Sequence, residues 1–306
     1  GDLTLYSLHL SNQGTLLSDG NMDLRLYGLK AFNEAGAESP GGGVNNTGIM
    51  QANQSLTILS DGTLNNSGSL LAIQNLSLTA QADISNDDGL IIANNAVSIT
   101  SKEGGIKNIN GGDIQSRDTL TAKAKKDVSN EGSQLLADAK LTITSQEGDI
   151  LNKGDKNNNS LIQGLDAVEL KAKGKVTNTK AGITSKKEFI VQSDSFENNN
   201  GGTILSLGQL IVKVKTLFSN SGDIDTNKAV SMSDGNNGEI DKFINSGSIE
   251  SKKTVDIQAV SLSNSGKLNA TDAMTLNTGV AGFTNSGTVQ CNTDLDITSE
   301  STLTNQ

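Results

Sequence analysis

Residues Asn65–Asn86 read NNSGSLLAIQNLSLTAQADISN, and this stretch decides the fold. After the turn at Asn66-Ser67-Gly68, a large and a small apolar residue alternate at Leu70 and Ala72. Leu76 and Leu78 form a second alternating pair, and Ile84 stands two residues before Asn86. Apolar side chains recur with period two and never at helical spacing, so each run predicts a short strand with one buried face. Gly, Asn and Ser between the runs supply the turns.

The closing pair recurs in both directions along the chain. It appears as Leu10/Asn12, Val44/Asn46, Leu64/Asn66, Ile84/Asn86, Ile106/Asn108, Val128/Asn130 and Ile150/Asn152. It continues as Val176/Asn178, Phe196/Asn198, Phe218/Asn220, Phe243/Asn245, Leu262/Asn264, Phe283/Asn285 and Leu303/Asn305. Apolar residues make up 34% of the chain. Random placement would fill all these positions with odds on the order of one in a million. Most steps between successive Asn are 19 to 22 residues. Three strands in a repeat of that length predict an all-β, right-handed parallel β-helix of about 14 coils, since a propeller blade needs about 40 residues. The whole chain, 1–306, then reads as a single β-helical repeat domain. Phe196, Phe218, Phe243 and Phe283 are expected to form a broken aromatic ladder inside it. The anchor Asn suits a corner with left-handed backbone angles, and a row of them can bond along the stack.

Composition narrows the function. Net charge is -10, aromatics are 3% with no Trp, and Arg25 and Arg117 are the only arginines. Neither a basic face nor a stacking platform for nucleic acid is present in that inventory, and no run approaches the length of a membrane helix. The single Cys291 excludes an internal disulfide and, two after Val289, is expected to be a buried space-filler. The single His9, between Leu8 and Leu10, is expected to face solvent. One His and one Cys build no zinc site, and no cofactor motif is found. Asp87 with Asp88, and Asp223 with Asp225, are candidate carboxylate pairs for glycan chemistry. Acidic residues are common in the turns, however, and a polysaccharide-active enzyme remains only an alternative. The lysine clusters Lys123/Lys125/Lys126 and Lys171/Lys173/Lys175 read as solvated faces that discourage edge pairing.

The repeat is interrupted near 21–44, 153–160 and 234–241, where inserted loops are expected. The first carries aromatics outside core positions, which makes Tyr27, Phe32, Asn33 and Glu34 a candidate partner-binding loop.

The Asn-x-x-Gly turn, the large-then-small pair, the Leu-x-Leu pair and the closing apolar-x-Asn together resemble the filamentous haemagglutinin repeat. The resemblance covers nearly the whole chain, most cleanly at Val44–Ile84 and Phe243–Leu303. It implies an extracellular, non-enzymatic β-helical shaft of a two-partner-secreted bacterial exoprotein, either an adhesin or a contact-dependent growth-inhibition effector. It also implies an outer-membrane transporter as partner during export. Beginning and ending in mid-repeat, the chain reads as an interior portion of a larger protein. The alternative role is a module that recognises a target-cell receptor or glycan.

Overall fold

The computed structural model describes residues 1–27, 42–155, 159–236 and 238–306. Among these the structure is all strand and turn, without helix, and the paired strands stack in parallel as a β-solenoid of three-strand coils. Contacts group the residues into two compact units, Gly1–Gly148 with Gly154–Ser160, and Asp149–Lys153 with Leu161–Gln306.

In the first unit one coil comprises Leu56–Ser60, Leu64–Asn66 and Ser69–Ala72. The first two lie in one sheet and the third in another. The next coil repeats the pattern at Leu76–Ala80, Ile84–Asp87 and Leu90–Ala93. Register is kept residue for residue: Leu56 faces Leu76, Leu64 faces Ile84 and Leu70 faces Ile91. Like side chains therefore stack on like, and the alternating pattern turns every second one into a sealed interior. Met22–Leu26 belongs to this stack, with Met22, Leu24 and Leu26 all at 0% exposure. The extra residues expected from position 21 therefore begin after that strand.

The second unit uses the same coil with a variation. The expected three short strands are replaced in four coils by one long strand plus a short one. The long strands are Glu188–Asn199, Gln209–Asn220, Val255–Asn264 and Met274–Asn285. Ser60-Asp61-Gly62-Thr63 turns the corner in the first unit, whereas Ser193-Asp194-Ser195 continues extended. Phe189 to Asn198 is nine residues and Leu210 to Asn220 is ten. A register shift between Ser193 and Ser195 absorbs the difference, as a β-bulge does. Ile240, inside the expected 234–241 loop, is a buried strand residue, and so is Ser160 at the end of the 153–160 loop.

Twelve of the fourteen residues preceding the anchors are buried, from Val44 to Phe283. Leu10 is only partly covered and Leu303 is 51% exposed, because each lies in a terminal coil of its unit. Burial of the column at Leu303 is thus corrected. The aromatic ladder is real over three rings. Phe196 and Phe218 stack with centroids 5.7 Å apart, and Phe218 and Phe243 with centroids 4.7 Å apart. Leu262 follows in register and separates Phe283 from the stack.

The turn glycine is fixed by its neighbours. A Cβ on Gly68 would stand 2.0 Å from the carbonyl oxygen of Gly48 in the coil before it, a backbone atom that cannot swing away. We expect Gly68→Ala to cost at least about 2 kcal/mol, read as a lower urea midpoint. Gly14, in the corresponding position of an earlier coil, has nothing within 4 Å of that point. Gly14→Ala should leave the midpoint unchanged.

Candidate functional site

Four sets of side chains could carry chemistry: the asparagine files, the small corner residues, the charged outer faces and the outward aromatics. The files are internal. In the first unit Asn12 Nδ2 donates to Asn46 Oδ1 at 2.8 Å, and Asn46, Asn66, Asn86 and Asn108 continue the chain to Asn130 at 2.7–2.9 Å. In the second unit the file runs from Asn152 through Asn178, Asn198, Asn220, Asn245, Asn264 and Asn285 to Asn305 at 2.7–2.8 Å. Asn12 through Asn285 are at most 7% exposed. Their amides also close the turns, as Asn66 does by donating to Gly68 O. They are therefore unavailable to a ligand.

The anchors do not take the left-handed backbone expected of them. Among the described residues the positive φ angles outside glycine fall at Asp88, Asn110, Lys180 and Asn200, each two residues after an anchor. The anchor itself is the last or next-to-last residue of a strand, where its extended backbone aims the amide inward along the stack.

The small corner position does more than fill space. Ser18 Oγ donates to Asn21 O at 2.8 Å, Ser116 Oγ to Thr119 O at 2.9 Å, and Ser251 Oγ to Thr254 O at 3.1 Å. Each hydroxyl bonds the carbonyl three residues on and so braces the corner. Size alone marked the position in the sequence; a hydroxyl in place of Ala was the available signal. Cys291 is in register with Ala270 at this position, yet it is half-buried rather than buried. Thr288–Cys291 lies on the outer side of Lys267–Ala270, and no further described strand covers it.

His9 is exposed, and its Nδ1 accepts the Gly43 amide at 3.2 Å. Asp87 accepts from Asn110 Nδ2 at 2.7 Å, while Asp88 turns the backbone. Asp223 and Asp225 point outward from one strand, with Glu250 in register beside Asp225 in the next coil. Partial burial, then the charges of Glu250 and Asp223, push the Asp225 carboxyl above its ordinary value. Glu250 is held below its own by a hydrogen bond from Lys267. An acid with a raised folded-state pKa destabilises the fold once ionised, so this penalty accrues as pH rises above about 3.9, the unfolded value. Asp225→Asn should therefore raise the melting temperature at pH 7, and the gain should vanish near pH 3 in a paired thermal scan.

The lysine clusters are solvated, as expected, and partly paired. Lys125 meets Glu103 of the preceding coil, and Lys175 meets Glu197 of the next at 2.8 Å. Such exposed pairs contribute little.

Of the predicted loop residues, Tyr27 is placed, while Phe32, Asn33 and Glu34 lie outside the described residues. The Tyr27 ring stacks on Tyr6 at 6.4 Å between centroids with 17° between planes, and Tyr6 is 65% exposed. Arg25 sits beside them, bound to Asp23 at 2.9 Å and raised in pKa by Asp23 and by a hydrogen bond with Tyr27. The described phenylalanines are all in the core, whereas both tyrosines of the chain are outside it.

Among the described residues no group of three or more His, Cys, Asp or Glu is placed to hold a metal ion, and no helix is long and apolar enough to cross a membrane. The haemagglutinin repeat model matches six stretches: residues 7–68, 26–103, 77–154, 127–180, 191–238 and 233–306. Together they leave out residues 1–6 and 181–190. No curated protein matches the chain, and no solved structure does.

Proposed function

Since the chain belongs to the haemagglutinin repeat family, we propose that it is an extracellular shaft segment of a secreted bacterial surface exoprotein. The supporting observation is the coil-on-coil register within each unit, with its internal amide file, which stiffens that unit because its coils are bonded to their neighbours. The role is mechanical: to hold a distal domain away from the producing cell. Adhesive filaments and filaments that deliver contact-dependent growth-inhibition toxins need the same part, and the proposal covers both. Family membership also supports export through an outer-membrane transporter of the two-partner type, with folding outside the cell.

The test is a substitution in the complete exoprotein. Replacing Ile49–Asn130 by the same number of coils from an unrelated parallel β-helix should preserve surface display and target-cell attachment. Loss of attachment with display intact would overturn a purely mechanical role.

A second reading, a recognition module for a target-cell receptor or glycan, is favoured by the outward Tyr6–Tyr27 stack. Aromatic faces on a polar surface are ready platforms for a partner. Because the chain has only these two tyrosines and no Trp, its intrinsic fluorescence reports on this site alone. Addition of target-cell outer membranes should change that emission, and Tyr6→Ser with Tyr27→Ser should reduce attachment without lowering the melting temperature. Unchanged emission and unchanged attachment would remove this reading.

A further inference from the structure

The second unit has a concavity of about 200 Å³ on its outer surface, lined by residues from four successive coils. Lys171, Gln192, Lys213 and Ser233 stand in register across it. Lys173 and Lys215 flank the row. One wall is the turn from Asp234 to Asn236, part of the segment that lengthens this repeat. Gly235 in that turn lies against the stem of Lys213, 3.1 Å from its Cβ to the point where a Gly235 Cβ would be.

The acids of the groove, Asp194 and Asp234, keep their charge but take their hydrogen bonds from neutral groups within the protein. Asp234 Oδ1 accepts the backbone amides of Asn236 and Gly238, each at 2.7 Å. Asp194 Oδ2 accepts the Thr216 hydroxyl at 3.3 Å. Lys173, Lys213 and Lys215, by contrast, make no ion pair among the described residues, in a chain whose net charge is -10. Three ammonium groups without ion pairs, set against the carboxylates of Asp194 and Asp234, leave the lining net positive, which favours an anion. The lining is more polar than apolar, as a hydroxyl-rich ligand requires, and the Gln192 amide within it offers both a donor and an acceptor.

We propose that this groove binds an anionic glycan, with the carboxylate or phosphate of one sugar residue held by Lys173, Lys213 and Lys215 and its hydroxyls by Gln192. The inserted turn provides the wall that makes a flat outer face concave. This adds a binding activity to the mechanical role proposed above, and either can hold without the other.

Calorimetric titration of the full chain tests it with three soluble probes: oligogalacturonate for carboxylates, phosphorylated core oligosaccharide of lipopolysaccharide for phosphates, and neutral dextran oligomers. Binding of either anionic probe, weaker in 0.3 M than in 0.02 M salt and without binding of dextran, is the expected result. The probe that binds identifies the anion. Lys213→Ala with Lys215→Ala should weaken binding by about tenfold or more, with an unchanged melting curve. Lys173→Ala alone, at an exposed side chain, should weaken it severalfold. Lys102→Ala, at an exposed lysine of the first unit, should have no effect. The proposal is overturned if neither anionic probe binds, if dextran binds equally well, or if the lysine variants bind as the parent does.

Discussion

Phe218→Asp will prevent the second unit from folding. The ring is fully buried and packed between Phe196 and Phe243. Removing it forfeits about 3–5 kcal/mol of burial and packing. A carboxylate in its place must either stay charged without a partner or take up a proton, which adds several kcal/mol more. The sum reaches the whole stability of an ordinary domain, roughly 5–15 kcal/mol. Circular dichroism should show loss of strand signal for the second unit. Phe218→Leu should keep the fold and cost about 1–1.5 kcal/mol, since Leu262 fills the same column two coils later. A cooperative melt of the Asp variant within a degree or two of the parent would show that the ring is not in a sealed interior.

Asn66→Asp should be nearly as severe although it changes no shape. Asn66 Oδ1 accepts from Asn46 at 2.7 Å, and its Nδ2 donates to Asn86 Oδ1 at 2.7 Å. The carboxylate replaces the donor by a second acceptor, so two oxygens face each other at hydrogen-bond distance in a buried site. The Gly68 carbonyl loses its side-chain partner as well. A broken buried pair and an uncompensated charge together cost about 3–5 kcal/mol at pH 7. Protonation restores a donor, so the folded-state pKa of the new acid is raised. Its destabilisation should shrink as pH falls through that raised value toward the unfolded one. Guanidinium titrations at pH 7 and pH 4 measure the difference. An equal loss at both would mean that the file is held by shape rather than by alternating donors and acceptors.

The strands and core were legible because period-two alternation depends on residue type alone. Val44, Leu64 and Ile84 could be placed inside without coordinates. The stacking of Tyr6 on Tyr27 was harder to read, since the coil step there is 19 residues and sets Tyr6 in register with Arg25 instead. Backbone angles were less legible. The identity of Asn86 does not reveal that the left-handed residue is Asp88, because both types tolerate that conformation and the inward amide bonds decide between them. The fused strands at Glu188–Asn199 and its counterparts were not legible, because glycine does not decide them: Met274–Asn285 is continuous with Gly279 and Gly282 inside it, while Gln81-Ala82-Asp83 turns without a glycine. The lysine groove needed the stacking that brings Lys173 and Lys213, forty positions apart, to one surface, and knowledge that Asp194 and Asp234 are hydrogen-bonded within the protein. Charge clusters read along the chain conceal such a grouping, since sequence neighbours on a strand are set apart while distant ones meet.

Every amide in the internal files points the same way: Nδ2 toward the following coil, Oδ1 toward the preceding one. An unfinished stack therefore shows waiting N–H groups on its growing surface and only carbonyl oxygens on the other. A newly arrived segment can dock in one orientation, oxygen first, and in doing so presents the next donor. Within each unit the files thus fix the orientation in which one coil joins the next, set by side chains rather than by any outside guide. Such a polarity bars a coil from docking upside down.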